Sequence, residues 1–573
     1  MSITEPSPTG FLDALRAAVG AQNVLTDPQR TERFRRGWRS GGGDAEAVVC
    51  PGTLLELWRV LQAAVAANRI VIMQASNTGL TEGSAPNGSY DREVIVISTL
   101  RLDRLHLLAD GRQIVSHPGG TLYALEKLLA PLGRQPHSVI GSSCIGASVI
   151  GGVCNNSGGA LVRRGPAFTE LALYAQLHAD GRLELVNHLG IRLGDTPEEI
   201  LGRLDRGAIA EADIDWNAGR ASDDDYATRV RDIDAPSPAR FNADPRGLRE
   251  ASGCAGKLAV FAVRLDTFPV EQDAQVYYIG TNAPSDLTLL RRRLLRDLPN
   301  LPISGEYLHR DMFDMARVYG KDTLLLIHWL GTDYLPRMFA AKARADAWLK
   351  KRAWAPRHLS DRVIQAAARL LPEALPRRML AFRDRFEHHL ILKVDAESVA
   401  ATEAILHEVL GPEGWFRCDA AEAKKAMLHR FAAAGAVVRY QAVHAAAVGE
   451  VLALDIALRR NDAEWFEVLP PDIAEDVEAR LYYGHFFCHV LHQDYILRRG
   501  ADAPAVKARM LALLDSRGAE YPAEHNVGHL YEAKPQLRAF YECLDPTNSF
   551  NPGIGKTSRQ QRRFAACPDC PPA

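Results

Sequence analysis

Pro136–Gly159, PHSVIGSSCIGASVIGGVCNNSGG, holds six glycines and many small hydroxyl residues but no Asp, Glu, Lys or Arg. Glycine permits positive φ and the close approach of another backbone or a ligand. Small residues leave backbone N–H groups free to cradle phosphate oxygens or a flat heterocycle. The uncharged window runs from Gln135 to Val162, long enough to raise a membrane span. The glycines and the polar Asn155, Asn156 and Ser157 argue against one, because a span needs about 20 predominantly apolar residues. A packed turn region and a ligand-cradling loop both remain open; the loop is favoured.

Working outward, Val71–Ser84 reads VIMQASNTGLTEGS, a short apolar strand followed by small residues and two glycines. Before it, Thr53 and Glu56 have capping-box spacing, and Leu54, Leu57, Val60 and Leu61 make an apolar helical face. Helix, strand and Gly-rich loop in succession predict an α/β nucleotide-binding unit. Further strands are expected at Ile70–Gln74, Val94–Ser98, Gln113–His117 and Leu171–Leu177, with helices over Phe11–Val19 and Leu122–Leu132. GKLAVFAVRLDTF, ending at Phe268, alternates like a half-buried strand. Leu25–Arg39 reads as polar and irregular, and residues 203–245, rich in Asp and Arg, as a surface excursion. From about Glu271, strands such as VYYIG and LILKV alternate with helices such as LTLLRRRLLRDL and EAILHEVL, an α+β pattern of a separate domain.

The 573 residues suffice for two or three domains. A net charge of −2 and 24% charged residues are ordinary for a globular protein and point neither to nucleic acid nor to a disordered scaffold. The N-terminus lacks the basic-then-apolar pattern of a signal peptide, so a location on the cytoplasmic side is expected. Nine cysteines, spread thinly, read as free thiols rather than a disulfide framework. GIGKTS at 553–558 is no P-loop, because Phe550 stands where the first glycine is required.

Pro336–Arg385 carries 13 Lys or Arg against 4 Asp or Glu, interleaved with Phe339, Trp348, Trp354, Leu370 and Leu371. Basic residues beside aromatic and leucine anchors suit a helix lying on anionic lipid. A solvated basic face is the alternative. Nucleic acid is disfavoured, since stacking aromatics are few.

The densest histidine cluster is YYGHFFCHVLHQDY, with His485, His489 and His492. On a regular strand His485 and His489 share a face and His492 lies opposite, unless a turn or bulge intervenes. That argues against a simple three-histidine metal site, and His489 is read as an ordinary imidazole.

QASNTGLTEGS, PGGTLYALEKLLAPLGRQPHS and IGASVIGGVCNNSGG together resemble the FAD domain of the PCMH/vanillyl-alcohol-oxidase family. FNADPRGLREASGCAGKLAVF, HRFAAAGAVVRYQAVH, LYYGHFFCHVLHQDYI, YPAEHNVGHLY and DPTNSFNPGIGKTS are similar to the quinone-dependent D-lactate dehydrogenases of bacterial respiratory membranes. The resemblance implies an α+β protein: a PCMH/vanillyl-alcohol-oxidase-type FAD-binding domain, an α+β cap roofing the flavin, and a basic helical membrane-binding segment. The FAD-binding domain would span 1–268, with a core at about 41–211, completed by 519–573. The cap would comprise 269–310, 386–425 and 450–518, and the basic region 311–385 with 426–449. FAD would be held by Ala75, Ser76, Asn77, Thr78, Gly79, Gly83, Ser84, Gly141, Ser148, Gly158 and Val260. Because the first loop has no histidine, the attachment would be noncovalent.

In related flavin dehydrogenases of 2-hydroxy acids, two histidines and a glutamate hold a divalent metal and the next histidine is the base. His485, His492, Glu524 and His525 stand in those relations here. This sequence departs from the pattern in FFCHVL and again at Asn526-Val527, which bears on the metal set more than on His525. Arg430 and Arg439 match the segment that holds the substrate carboxylate, a task that suits guanidinium because it pairs two oxygens at once. The implied activity is oxidation of D-lactate to pyruvate with electrons passed to ubiquinone or menaquinone. It would take place on an anionic phospholipid surface at the cytoplasmic face of the inner membrane, without nucleic acid. The rival readings are a D-2-hydroxyglutarate or glycolate dehydrogenase with another acceptor, and a non-catalytic membrane flavin redox sensor.

Overall fold

The computed structural model describes residues 8–138, 145–352, 354–524 and 527–562. Two sheets build the first half. In the smaller one the order is Val24–Leu25, Ala47–Val49, Val94–Ser98, Ile70–Gln74, with the last three strands parallel. The helix Leu54–Ala66 starts at Thr53, whose Oγ accepts from Glu56 N at 3.0 Å, while Glu56 Oε2 accepts from Gly52 N at 2.6 Å. Its buried face, Leu57, Val60, Leu61 and Ala64, joins the core that includes Val49, Ile95 and Ile97. The second sheet is antiparallel, in the order Leu105–Leu108, Gln113–Ser116, Ala259–Asp266, Ala172–Leu177, Leu183–Asn187. The C-terminal segment returns to the first sheet: Val71 N donates to Ser549 O, and Asn551 N to Val71 O, both at 2.9 Å.

The second half is one seven-stranded antiparallel sheet. Its order is Trp415–Arg417, Gln275–Thr281, His388–Val394, Ser304–His309, Val477–His485, Val490–Arg498, Val448–Ala457. Both faces are covered, as a nearly continuous apolar strand requires. Tyr277, Ile279, Leu390 and Leu392 pack under the helices Pro284–Asp297, Val399–Leu410 and Ala503–Ser516. The alternate residues Tyr278 and Ile391 pack under Arg310–Tyr319, Arg377–Arg385 and the long helix Ala420–Val443. Three further helices extend that second layer: Lys321–Leu330, Leu335–Lys350 and Leu359–Ala368.

Three expectations are corrected. Leu25–Arg39 is not irregular: Pro28–Arg35 is a helix whose N-cap, Asp27, accepts from Gln29 N and Arg30 N. It shows no apolar stripe because only Thr31 and Phe34 are buried. Residues 203–245 are not merely a surface excursion, because Tyr226, Val230 and Arg240 are buried; the charges of that stretch pair locally, as in Arg229 with Asp223 at 2.9 Å. Cys543 is disulfide-bonded, whereas Cys50, Cys154, Cys254, Cys418 and Cys488 are free.

Three buried histidines give the seven-stranded sheet and its helices a pH dependence. Burial pushes His388 and His389 down to about 3 and His429 to about 4. His389 lies against the Tyr278 and Phe313 rings, with neither ring nitrogen hydrogen-bonded among the described residues. All three are neutral when folded but take up a proton near pH 6.5 when unfolded. Stability is therefore full above that pH and falls as pH drops toward the folded values, by up to about 1.4 kcal/mol per group per pH unit. The thermal midpoint is expected to fall steeply between pH 7 and 5, and His389→Leu to flatten the slope. An unchanged slope in the variant would remove His389 from this account.

Candidate active site

A turn resolves the histidine geometry. Val477–His485 ends in a single 3-10 turn, Phe486–Cys488, and His489 adopts a left-handed φ of 52° before Val490–Arg498 runs back. His485 then pairs with Val490, and Tyr483 with His492. The rings of His485 and His492 come to 5.3 Å, nearly perpendicular. His489 turns away, its Nδ1 2.9 Å from Arg459 O. The alternation rule places His492 opposite His485 only on one unbroken strand; across the hairpin the two converge.

Around these rings lies a compact charged cluster. His485 Nδ1 is 2.7 Å from Glu306 Oε1, and its Nε2 3.2 Å from Glu524 Oε1. Arg430 Nε sits 2.9 Å from Glu306 Oε2, an ion pair rather than an aligned hydrogen bond, with its guanidinium 4.7 Å above the Tyr483 ring. Arg240 Nη2 lies 2.9 Å from Glu524 Oε2 and donates to Gly159 O at 2.7 Å. Asp455 spans the other side, with Oδ1 3.4 Å from His492 Nδ1 and Oδ2 accepting from Glu524 N at 2.9 Å. Glu524, Arg240 and Glu306 are buried. Burial works against charge on His485, but Glu306 and Glu524 outweigh it and hold the imidazole at about 9. Burial would likewise raise Glu306, yet His485 and Arg430 keep it below the usual carboxylate range. Burial raises the Asp494 carboxyl, which accepts from Tyr483 Oη at 2.9 Å; the charge of Arg39 opposes that rise.

The donor set suits a divalent metal. One ligand atom each from His485, His492 and Glu524 fall within 4.8 Å of one another. Both imidazoles have Nδ1 at a carboxylate, the arrangement that orients metal-binding histidines. Two imidazoles and a carboxylate leave positions open for a substrate oxygen.

His525 and Gly141 lie outside the described residues. Glu524 and Val527 are both buried. A Cβ on Gly83 would meet Val527 O, one on Gly528 would overlap Thr81 O, and one on Gly158 would overlap Glu524 Oε2. Both glycine-rich stretches therefore converge on the same C-terminal segment. Arg439 does not join the cluster. Nine residues beyond Arg430, it faces the opposite side of the helix and pairs with Asp361 at 3.2 Å and Asp322 at 3.4 Å.

The described residues expected to hold FAD lie in the two glycine-rich stretches and on the strand Ala259–Asp266. In the run Ala75–Gly79, Asn77 is left-handed (φ 52°); its Nδ2 donates to Arg36 O at 2.7 Å and its Oδ1 accepts from Ser84 Oγ at 2.9 Å. Space is open where a Gly79 side chain would point, and Ser76 faces Gly146. Ser148 caps the short helix Val149–Cys154 through Gly151 N at 3.0 Å. Strand register shifts between Val260 and Ala262, a bulge of the kind that frees backbone groups beside a ligand. His137 Nε2, Ser138 Oγ and Asn156 Oδ1 are buried with no hydrogen-bond partner among the described residues. Orphaned polar atoms beside glycine-rich stretches suit a polar heterocycle bound there.

Sequence reasoning missed Arg240, Glu306 and Asp455. Nothing local marks them: Glu306 is a lone acid in a strand and Arg240 sits in a charge-rich run. Only the opposite, His-bearing wall of the site has a sequence signature.

The basic helical layer exposes Trp329, Tyr334, Trp348, Trp354, Val363 and Leu370, the last 89% accessible. Among the described residues no helix is long and apolar enough to cross a membrane.

A family described as "FAD binding domain" matches residues 45–185, and one described as "D-lactate dehydrogenase, membrane binding" matches residues 276–563. The quinone-dependent D-lactate dehydrogenase of Escherichia coli (strain K12) is 58% identical over 98% of this chain and 99% of its own. That of Haemophilus influenzae is 55% identical over 96% and 98%, and that of Corynebacterium glutamicum 48% identical over 96% of each. Among solved structures, p-cresol methylhydroxylase aligns at a TM-score of 0.56 with 11% identity, over 96% of this chain and 97% of its own. Alkyldihydroxyacetonephosphate synthase aligns at 0.57 with 12% identity, over 96% and 85%. The fold is thus of the PCMH/vanillyl-alcohol-oxidase type, and the chain belongs to the family of quinone-dependent D-lactate dehydrogenases.

Proposed function

We propose that this FAD-dependent dehydrogenase oxidises D-lactate to pyruvate in the space between the Arg430–Glu306–His485–Glu524 cluster and the glycine-rich stretches at Ala75–Ser84 and Ser148–Gly159. FAD, noncovalently bound, supplies the hydride acceptor and the two-electron store for quinone. Ala75, Ser76, Asn77, Thr78, Gly79, Gly83 and Ser84 would hold its pyrophosphate side. Gly141, Ser148, Gly158 and the Val260 backbone would line the rest. A divalent metal held by His485, His492 and Glu524 would polarise the lactate hydroxyl.

The residues of the chain do the remaining work. The ion pair with Glu306 holds Arg430 on its Nε side, so that its terminal nitrogens would take the lactate carboxylate. His525 removes the hydroxyl proton, a task suited to an imidazole near neutral pH. Charge supports this assignment. Arg240, Arg430 and protonated His485 face Glu306, Glu524 and Asp455, so the cluster is balanced without metal. With a dication held by His485, His492 and Glu524 in place of the His485 proton, the cluster would carry one surplus positive charge for the lactate carboxylate to neutralise.

The protein associates with the membrane peripherally. We further propose that the surface is anionic phospholipid at the cytoplasmic face of the bacterial inner membrane. The exposed Lys350, Lys351, Arg352, Arg357, Arg362, Arg369 and Arg377 lie among Trp348, Trp354 and Leu370. Each such cation near an anionic surface contributes on the order of 1 kcal/mol.

The observation that carries the catalytic reading is the Arg430–Glu306–His485–Glu524 chain of ion pairs reaching Gly158. Anaerobic absorption spectroscopy tests it: the flavin band is expected to bleach with D-lactate and to persist with L-lactate. A band that neither isomer bleaches would discard lactate and redirect the site to larger 2-hydroxy acids.

A further inference from the structure

We propose that Tyr483 is a positioning residue that sets the spacing between the carboxylate clamp at Arg430 and the hydroxyl-binding side of the site at His492, and thereby selects acids whose hydroxyl stands on the carbon next to the carboxylate. The inference rests on the D-lactate reading above and deepens it by assigning the group that measures the substrate.

Sheet register puts Tyr483 between the two groups. It pairs with Leu308 on one neighbouring strand and with His492 on the other. Directly opposed residues share a face and hold their Cβ atoms about 4.5–5.5 Å apart. The rings of Tyr483 and His492 accordingly lie 5.3 Å apart, tilted by 43°. Asp455 stands on the far side of His492, its Oδ1 3.4 Å from Nδ1, so the imidazole is held from both sides. Arg430 comes from a separate element, the helix Ala420–Val443 packed over this face. Its guanidinium stands 4.7 Å above the Tyr483 ring.

Two contacts divide the work of placing that guanidinium. Glu306 Oε2, 2.9 Å from Nε, holds one edge of it. An ion pair alone leaves an arginine free to swing about that edge. The face of the Tyr483 ring, which attracts a cation, sets its height above the sheet. The ring is itself pinned: it is buried, and its Oη donates to the buried Asp494 carboxylate at 2.9 Å. Asp494 lies two residues beyond His492 on the same strand and therefore on the same face. One strand thus anchors both the imidazole and the far end of the ring.

Lactate carries its carboxylate and hydroxyl on adjacent carbons, whereas a 3-hydroxy acid places one more carbon between them. With both receiving groups set against one rigid ring, the gap does not adapt to the longer acid. A misplacement of about 1 Å is enough to cost on the order of 10²-fold in rate.

Oxalate and malonate report this spacing without turnover. Both are dianions; oxalate joins its carboxyl groups directly, and malonate inserts a carbon. Their dissociation constants are measured in the full-length, FAD-loaded protein from the perturbation of the flavin absorption band. Wild type is expected to bind oxalate at least tenfold more tightly than malonate. In Tyr483→Leu that ratio is expected to fall at least fivefold, through weaker oxalate binding. In Tyr483→Phe, which keeps the ring, it is expected to stay within twofold of wild type. Tyr483→Met keeps most of the buried volume without a flat face; it is expected to match Tyr483→Leu and replaces it should that variant fail to fold. A tyrosine that only supports the fold would weaken both dianions alike and leave the ratio unchanged. An unchanged ratio in Tyr483→Leu or Tyr483→Met, an equal loss in Tyr483→Phe, or a wild type that does not prefer oxalate overturns the proposal. A wild-type flavin that D-lactate fails to bleach would instead defeat the catalytic reading, which the dianion ratio does not test.

Discussion

Changing His525 to alanine is expected to slow bleaching of the flavin band by D-lactate about 10²–10⁴-fold, with FAD still bound. The reaction needs a group that takes the hydroxyl proton as the Cα hydrogen leaves. The two imidazoles of the described cluster are committed elsewhere: His485 lies between Glu306 and Glu524, and His492 against Asp455. A metal at those two rings would keep them from acting as base altogether. Glu524 and Val527, on either side of His525 and Asn526 in the sequence, are both buried. Glu524 takes Arg240, and Val527 meets the first glycine-rich loop. Under the proposed assignment, loss of the imidazole would remove the proton acceptor while the flanking contacts of Glu524 and Val527 remain. Stopped-flow reduction of the FAD-loaded variant measures the step directly, free of quinone chemistry. A rate within tenfold of wild type would exclude His525 as the base.

How much of this was legible before the structure differs by element. The helix capped by Thr53 and the strand Ile70–Gln74 are readable because local propensity, capping and apolar period agree. The helix Pro28–Arg35 is not, since a charged helix that buries two side chains offers no stripe to count. The site divides in the same way. His485 and His492 stand out as a histidine cluster and Glu524 through the family resemblance alone, and the hairpin turn brings the two histidines together. Arg240 and Glu306 have no such mark; only their burial beside opposite charges gives them a role. Arg439 shows the converse limit. Its segment matches the family pattern as well as Arg430 does, yet nine residues along a helix reverse its direction and tie it to Asp322 and Asp361.

Glu524→Gln is expected to abolish metal retention and to destabilise the protein by about 3–5 kcal/mol. Glu524 is completely buried, and its carboxylate is the counter-charge for Arg240, itself only 1% exposed. Removing one partner of such a pair strands the other in a medium that solvates it poorly, which costs more than the pair contributes when intact. Arg240→Leu strands a carboxylate instead, but one that His485 still faces at 3.2 Å and that a metal can share. Its destabilisation is therefore expected to shrink when divalent metal is supplied, whereas that of Glu524→Gln is not. The double variant, Arg240→Leu with Glu524→Gln, removes both charges and is expected to cost less than the two single changes added together, the signature of direct coupling. Thermal release of FAD fluorescence, with and without chelator, reports stability, and elemental analysis of the purified proteins reports metal. Equal metal content in wild type and Glu524→Gln would refute Glu524 as a ligand. Additive losses across the cycle would refute the buried pair as an energetic unit.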